Sequence, residues 1–314
     1  MRVGKISASI LFLLTLATLF MPVGVMAQST IEWRYGWDIK EFSTHVLYWD
    51  FAVSKDGIVY IATDDGYIRA YKYDGTQIWV RSFTGQSSVG FLTLYEPNGW
   101  LWVGYNTGYL YMLNMYTGEV IDSVNFANDF PGFAGWPIGV TYNERTAAIY
   151  VAVHHKKSDG DRDDVLVHFQ WNSTDTKMEV VNYIMLSSTI TGYDNNAFTT
   201  PPYVLPTDDV VFVERYWNTG YAPYYELIIV DGSSLSMVYH NYAGSKGPIY
   251  IFYNLQYLFS LARTYVEEDT VMYRISMTGG YSQDSSHYYD DVHVGTLSLI
   301  HISEPTRPLY ISYA

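Results

Sequence analysis

The densest group of potential metal ligands in the chain is the run Asp159-Gly160-Asp161-Arg162-Asp163-Asp164. Its carboxylates at positions 159, 161 and 163 have the spacing by which a loop wraps oxygen ligands around calcium. The run departs from an EF-hand loop, because Asp164 stands where glycine is needed and Gln170 where glutamate is needed. We therefore expect either a calcium-stabilised loop with ligands Asp159, Asp161 and Asp163 or a solvated acidic hairpin. The neighbouring pair His154-His155 does not add a transition-metal site, since adjacent side chains of a strand point to opposite faces.

A second group of candidate residues consists of aromatic side chains in the longest segments between apolar runs. Flat rings with polar tips suit contact with a carbohydrate or a peptide. The whole chain is rich in such residues, with 32 Tyr, so packing between structural elements is the alternative explanation. The candidates for ligand contact are Trp136, Tyr193, Tyr216, Trp217, Tyr221 and Tyr224.

Motifs for hydrolytic or phosphate chemistry are missing from the sequence. G-x-S-x-G, H-E-x-x-H and G-x-x-x-x-G-K-[ST] do not occur, and Ser54-Lys55-Asp56-Gly57 has the wrong spacing for the Asp-box of sialidases. Carboxylates are numerous, but a catalytic pair cannot be chosen without geometry. We expect a non-catalytic protein, with an enzyme acting on polysaccharide or a small alcohol as the alternative; its catalytic residues are unknown.

Short apolar runs, separated by Gly, Asn and Asp turns, dominate the chain from residue 47 onwards. No window keeps apolar residues at helical spacing for three turns, whereas runs rich in Val, Ile, Tyr, Phe and Trp recur. The first four runs are joined by the turns Lys55-Asp56-Gly57, Asp64-Asp65-Gly66 and Tyr73-Asp74-Gly75. Each turn has a glycine where a positive φ is needed. The same pattern returns between residues 91 and 126, and three fainter copies follow it.

These copies predict an all-β fold. When the second strand of each copy is aligned, the spacings are 42, 48, 62 and 47 residues, and a four-stranded unit recurring at about 40 to 50 residues is typical of a β-propeller blade. We expect four-stranded antiparallel blades, about five of which are present. DVHVGT at 291–296 resembles the start of a sixth blade, so the ring is expected to be truncated from one of six to eight blades. The aligned residues are Tyr60, Trp102, Tyr150, Phe212 and Phe259.

The first two copies resemble the quinoprotein-type, or PQQ-like, repeat. The resemblance rests on 64–71 followed by 74–79 and on 106–111 followed by 117–120, and it covers roughly residues 50–125. In that family a second glycine turn leads into an outer strand with a packing tryptophan, which Trp79 matches. The family's quinone-dependent dehydrogenases use a ring of adjacent cysteines, and this chain has no Cys, so the PQQ cofactor is not expected. The resemblance implies instead a relative of the non-catalytic scaffold and binding propellers.

Blade geometry also sorts the loops. Because successive strands are antiparallel, the loops between second and third strands and the connectors between blades leave the same face. The long segments 127–137, 154–164, 187–202 and 215–224 all belong to these two classes. Function concentrates on long loops held by a rigid scaffold, so we expect a carbohydrate or protein surface partner to bind there.

Both ends of the chain are expected to lie outside the folded domain. Arg2, Lys5, the apolar stretch 6–21 and a small-residue site ending at Ala27 predict a signal peptide over 1–27, with an uncleaved anchor as the alternative. Residues 297–314, LSLIHISEPTRPLYISYA, resemble a translated sequencing adapter and are expected to be a non-native tail. The propeller domain then comprises 28–296, incomplete at its C-terminus, in a secreted, periplasmic or cell-surface protein.

Composition restricts the partners. Eighteen Lys and Arg against 32 Asp and Glu give a net charge of −14, which disfavours nucleic acid and anionic lipid. We expect no membrane insertion after signal cleavage and a monomer if the ring is complete.

Ile31–Trp37 is predicted to be a strand that closes the ring, with a simple extension as the alternative. Asn172-Ser173-Thr174 is a glycosylation sequon, relevant only if the host glycosylates.

Overall fold

The computed structural model describes residues 47–289, apart from 64–65, 87–88, 131, 158–161, 187–196, 217–223, 245, 255 and 264–269. All described residues belong to one compact unit. Several predicted segments lie outside the described residues: the signal peptide 1–27, the closing strand 31–37, the sixth-blade strand 291–296 and the tail 297–314.

The described residues form five antiparallel sheets, which are the blades of a β-propeller. Blade 1 contains β1 (Leu47–Val53), β2 (Val59–Thr63), β3 (Ile68–Tyr71) and β4 (Gln77–Arg81). Blade 2 contains β5 (Val89–Tyr95), β6 (Trp100–Tyr105), β7 (Tyr109–Asn114) and β8 (Val120–Asn125). Blade 3 contains β9 (Gly135–Asn143), β10 (Ala148–His155), β11 (Val165–Asn172) and β12 (Lys177–Met185). Blade 4 contains β13 (Ala197–Phe198), β14 (Tyr203–Val204), β15 (Val210–Tyr216), β16 (Tyr224–Val230) and β17 (Met237–Gly244). Blade 5 contains β18 (Lys246–Tyr253), β19 (Tyr257–Arg263), β20 (Thr270–Ser276) and β21 (Ser282–Tyr289).

The first strand of blade 4 is divided in two. β13 and β14 both pair with β15, but Pro201 and Pro202 lie between them. Proline has no N–H to donate to a ladder, so the pairing stops at these residues and resumes beyond them. The all-β prediction and the four-strand repeat are otherwise confirmed, with consecutive strands adjacent in every blade.

The core consists of four apolar layers, one between each pair of consecutive blades. Strands are apolar on both faces: all six residues of β6 are buried. Alternate residues of β10 illustrate the division, since Val151 packs towards blade 2 while Tyr150 and Ala152 pack towards blade 4. No helix among the described residues is long and apolar enough to span a membrane.

The alignment of the second strands of the repeats is wrong at one position, Phe212. Tyr60, Trp102 and Tyr150 all pack towards the following blade, but Phe212 packs towards the preceding blade 3. Its neighbour Val211 faces blade 5 and is the equivalent residue. A shift of one position moves a strand side chain to the opposite face, and the aromatic ring of Phe212 hides that shift in the sequence.

A β-bulge interrupts the outer strand of every blade. The register between third and fourth strands slips by one residue next to Ala70, Met112, His168, Ile229 and Arg274. The extra residues are Ile78, Ile121, Val181, Val238 and Asp284. A bulge increases local twist and spoils the edge as a template for pairing with another chain.

In blades 1 to 4 the residue after the bulge contacts the next blade. Trp79 donates from Nε1 to the Met115 carbonyl at 3.0 Å. Asp122 accepts a bond of 2.7 Å from the Met178 backbone N–H. These contacts all reach the turn between the third and fourth strands of the next blade, or the residues just after it.

Blades 3 and 4 continue this series with different chemistry. Asn182 donates from Nδ2 to the Ser233 carbonyl at 3.3 Å, and the ring of Tyr239 lies 6.1 Å from that of Tyr281. We call Trp79, Asp122, Asn182 and Tyr239 the docking row. An indole, a carboxylate, an amide and a phenol thus occupy one structural position, so the row has no sequence signature.

Gly118 makes the Trp79 contact possible. Its φ is +69°, and a Cβ at this position would lie 2.8 Å from Cδ2 of the indole. Its carbonyl also accepts a bond of 2.9 Å from Arg81 Nε. Glycine is required here both for the backbone conformation and for the close approach of the ring.

Replacing Trp79 with alanine should destabilise the protein by about 3 to 5 kcal/mol, because the substitution removes a buried ring and leaves a cavity between blades. Urea unfolding measures the loss. Ile78→Ala is the matched control, since Ile78 is exposed in the same strand and should change stability by about 0.5 kcal/mol or less. Equal effects of the two substitutions would contradict the docking role of Trp79.

Candidate functional site

The topology places four long connections on one face of the propeller. Those between β8 and β9 and between β12 and β13 join blades, and those between β10 and β11 and between β15 and β16 join second to third strands. We call this the loop face, and the opposite side the turn face. The turn face carries tight turns such as 54–57 and 72–75, each closed by a 2.9 Å backbone bond.

Asp164 fastens two of the loop-face connections together. Its side chain is fully buried and accepts bonds from the backbone N–H groups of Phe198, at 2.7 Å, and His155, at 3.2 Å. The ring Nδ1 of His154 contacts the same carboxylate. The Asp164 carbonyl accepts a further bond of 3.0 Å from the Leu186 N–H. One residue therefore ties the β10–β11 loop to both ends of the connector between blades 3 and 4.

Three further acidic side chains surround this residue. Glu214 on β15 is fully buried and lies directly opposite Glu226 on β16. Among the described residues, neither carboxyl oxygen of Glu214 has a hydrogen-bond partner. Burial, followed by the charges of Glu226, Asp164 and Asp163, raises the pKa of Glu214 to about 8. We call these four residues the acidic cluster; its central carboxyl is protonated at neutral pH.

The acidic cluster has the chemistry of a proton site. Within the described part of the chain, no group of three His, Cys, Asp or Glu residues is arranged to hold a metal ion. Glu214 has no surface through which it could touch a substrate. What these carboxyls can do is bind and release a proton under the loop face, and thereby change the charge between two blades.

The predicted calcium ligands are only partly described. Asp159 and Asp161 lie outside the described residues. Asp163 is buried, and its N–H donates to the His155 carbonyl at 3.0 Å. The alternative of a solvated acidic hairpin is therefore wrong for Asp163 and Asp164, which lie under the loop face. A calcium-bound loop remains a prediction.

The structure describes only some of the aromatic residues that were predicted to contact a ligand. Trp136 on β9 is half-buried and packs edge-to-face on His154, with 5.7 Å between ring centroids. Tyr216 ends β15 and pairs with Tyr224, which begins β16, so their backbones flank one loop-face connection. Tyr193, Trp217 and Tyr221 lie outside the described residues.

Two neighbouring loop aromatics belong to the core. Phe130 and Phe133 are buried and stacked, with centroids 4.9 Å apart. For these two rings the packing explanation is correct, because they close the apolar layer between blades 2 and 3.

Asn172 is the last residue of β11, on the turn face. Its Nδ2 donates to Asp175 Oδ2 and Glu179 Oε1, both at 3.0 Å, and its Oδ1 accepts the Thr174 N–H at 3.0 Å. The side chain thus organises the turn that follows, and its glycosylation remains a prediction.

A second polar group lies inside the interface of blades 3 and 4. Tyr150 donates to the Gly232 carbonyl at 2.8 Å, and burial raises the pKa of its hydroxyl to about 12. The His168 ring stacks on Tyr150 with 4.9 Å between centroids and contacts Asn182 through Nδ1 at 3.1 Å. Burial lowers the pKa of His168, so this network is neutral and structural.

The sequence analysis missed Glu214, Glu226 and the role of Asp164. A signal was present, since VVFVERY and YYELIIV each place one glutamate inside an apolar strand. A charged residue in such a run is costly unless it is paired or protonated, and therefore marks a site worth testing.

Comparisons with known proteins establish the fold. No family model matches the sequence, and no curated protein matches it. The chain is similar to the WD40 domain of coronin from Toxoplasma gondii, with a TM-score of 0.53 and 14% identity over 76% of this chain and 58% of that one. A chain of the mitotic checkpoint complex gives a TM-score of 0.50 and 10% identity, covering 78% and 64%. For BamB from Moraxella catarrhalis the TM-score is 0.39, with 10% identity over 76% and 72%.

The chain spans less than two thirds of the length of the coronin domain and of the checkpoint-complex chain. Identities of 10 to 14% with TM-scores of 0.50 to 0.53 show a shared β-propeller fold and no more than the fold.

Asp164→Asn should destabilise the protein by about 2 to 3 kcal/mol, because the amide cannot accept every bond that the buried carboxylate accepts. Asp56→Asn, an exposed change on the turn face, is the control and should stay within about 0.5 kcal/mol. Thermal and urea unfolding provide the comparison, and a neutral Asp164→Asn variant would refute the fastening role.

Glu214→Gln should make the pH dependence of stability weaker. The wild-type carboxyl binds its proton more tightly when folded, so its favourable contribution is complete below its ordinary pKa of 4.5 and is lost as the pH rises towards about 8. Relative to wild type, the variant should therefore gain about 3 kcal/mol between pH 4.5 and pH 7. Urea unfolding at a series of pH values measures this difference, and parallel pH profiles would contradict it.

Proposed function

We propose that this chain is a non-catalytic binding propeller that holds a protein partner on its loop face. The observation that supports this most directly is the concentration of the long connections on one face while tight turns close the other. Long loops on a rigid scaffold can vary in sequence and shape without disturbing the core, which suits them to recognition.

The fixed loop bases strengthen this proposal. Asp164 fastens the β10–β11 loop to the connector that ends at Phe198. A pre-organised surface loses less conformational entropy on binding than one that must order itself. Recognition therefore explains the buried hydrogen bonds of Asp164 under the loop face better than stability alone does.

The proposal includes the export and lineage expected from the sequence. The signal-peptide pattern over 1–27 supports a secreted, periplasmic or cell-surface protein, and blades 1 and 2 support a PQQ-like repeat that does not bind PQQ. A carbohydrate partner remains the alternative ligand, with Trp136 as the described ring that would contact it.

Site-specific photo-crosslinking tests the partner and the face together. A benzophenone amino acid placed at Trp136 or Lys156 should give a discrete protein adduct when the protein is expressed in its own host. The same group at Tyr73 or Tyr116, exposed on the turn face, is the control and should give none. Adducts of equal yield from both faces would refute the proposal, and binding of glycans with no protein adduct would favour the carbohydrate alternative.

A further inference from the structure

The acidic cluster occupies the point where three loop-face connections meet. Asp163 and Asp164 end the β10–β11 loop, Glu214 and Glu226 lie two residues inside the strands that flank the β15–β16 loop, and Phe198 follows the connector between blades 3 and 4. Three separate segments of the proposed binding face are therefore anchored within one group of side chains.

Among the described residues, only Glu214 in this cluster is both fully buried and without a partner for either oxygen. A buried carboxylate with no donor is unstable, whereas a protonated carboxyl is neutral and brings an O–H donor to a group of acceptors. The proton is thus a structural component of the closed arrangement, since Asp164 and Glu226 surround Glu214 with negative charge.

The other charged groups near the cluster come from each element packed around it. His154 on β10 contacts the Asp164 carboxylate, and His240 on β17 lies 3.7 Å from Glu226 Oε2. Arg162 and Arg215 flank the cluster in sequence and make contacts of their own. Asp164 is therefore held by hydrogen-bond donors and Glu226 has a histidine nearby, while the carboxyl of Glu214 depends on its proton.

We propose that the acidic cluster is a proton-controlled clasp that holds the base of the loop face together and makes partner binding depend on pH. The clasp is closed when Glu214 is protonated. Loss of the proton places an additional charge beside Asp164. The resulting repulsion weakens the bond that the Asp164 side chain accepts from the Phe198 N–H and the bond that its carbonyl accepts from the Leu186 N–H. The link to a partner rests on the proposed function, whereas the clasp itself does not.

The working range follows from the titration of Glu214. In an opened base the carboxyl regains water and its ordinary affinity for protons, so deprotonation and opening favour each other. The clasp is therefore strongest below the ordinary carboxyl pKa of 4.5 and weakens progressively as the pH rises towards about 8. Within this range a rise in pH is converted into a change in the binding face.

Amide exchange measured by NMR on the isolated protein tests the clasp. The Phe198 and Leu186 amides are the reporters, and the Leu235 amide, which bonds to the Asp231 carbonyl at 2.9 Å on the turn face of blade 4, is the internal control. Comparing wild type with Glu214→Gln at each pH cancels the intrinsic pH dependence of exchange. We expect the ratio of the wild-type rate to the variant rate to rise about tenfold or more for both reporters between pH 5 and pH 8, with no change at Leu235.

Two further variants separate the clasp from a general loss of stability. Glu226→Gln removes a charge that raises the pKa of Glu214, so the pH at which reporter exchange stops rising should be lower than in wild type. Glu119→Gln removes an exposed carboxyl on the turn face and should leave wild-type behaviour unchanged. If Glu214→Gln fails to fold, the shift of this upper pH limit in Glu226→Gln decides the question.

A constant ratio of reporter exchange rates in wild type and Glu214→Gln from pH 5 to pH 8, or an unshifted upper pH limit in Glu226→Gln, would overturn the clasp. The yield of the Trp136 crosslink at pH 5 and pH 8 tests the link to the partner: it should fall at pH 8 in wild type and stay constant in Glu214→Gln. A pH-independent yield in wild type would overturn that link. Absence of any adduct at either pH would instead refute the proposed function, and the amide result would still decide the clasp.

Discussion

Blades 2, 3 and 4 of this protein depend on being covered on both faces. The strands carry apolar residues on both faces of each sheet. Neither face of a sheet such as β5–β8 is therefore suited to contact with water. Burial of apolar surface is the main favourable contribution to folding, and here it is available only between neighbouring blades. The fold is therefore a series of mutually dependent sheets rather than a sheet with one core, and its stability is distributed over four layers.

Directional contacts give these apolar layers a defined geometry. A hydrophobic layer alone tolerates sliding, whereas the docking row fixes each outer strand to one turn of the next blade through Trp79, Asp122, Asn182 or Tyr239. The bulge beside each of these residues turns the side chain towards its target and blunts the exposed edge. Orientation between blades and protection of the edge thus come from the same local irregularity.

The acidic cluster and the Tyr150–His168 network are the polar exceptions in an otherwise apolar interface between blades 3 and 4. Glu214 and Glu226 lie at facing positions of β15 and β16, and burying two carboxyls is unfavourable unless they are protonated or hydrogen-bonded. Their position at the base of three loop-face connections is the reason for proposing a role in recognition. In the proposed clasp, the titration of Glu214 acts at one interface and leaves the other layers unchanged.

Local chemistry in the sequence determined the strands, the turns and the repeat. Glycines such as Gly57, Gly75 and Gly108 have the positive φ that the turn patterns predict, because turn conformation depends only on a few adjacent residues. The sorting of long loops onto one face also followed from the antiparallel order of strands alone. These features require no knowledge of which residues meet across space.

Tertiary structure alone decided which face each side chain occupies and what it meets there. The sequence could not distinguish Phe212 from Val211 as the residue facing blade 5, since both are apolar and the faces differ only by one position. Nor could it show that Asp164 is buried beside Glu214, residues 50 positions apart in the chain that lie in different blades. A pKa depends on burial and on charges brought together by folding, and both are properties of the assembled blades.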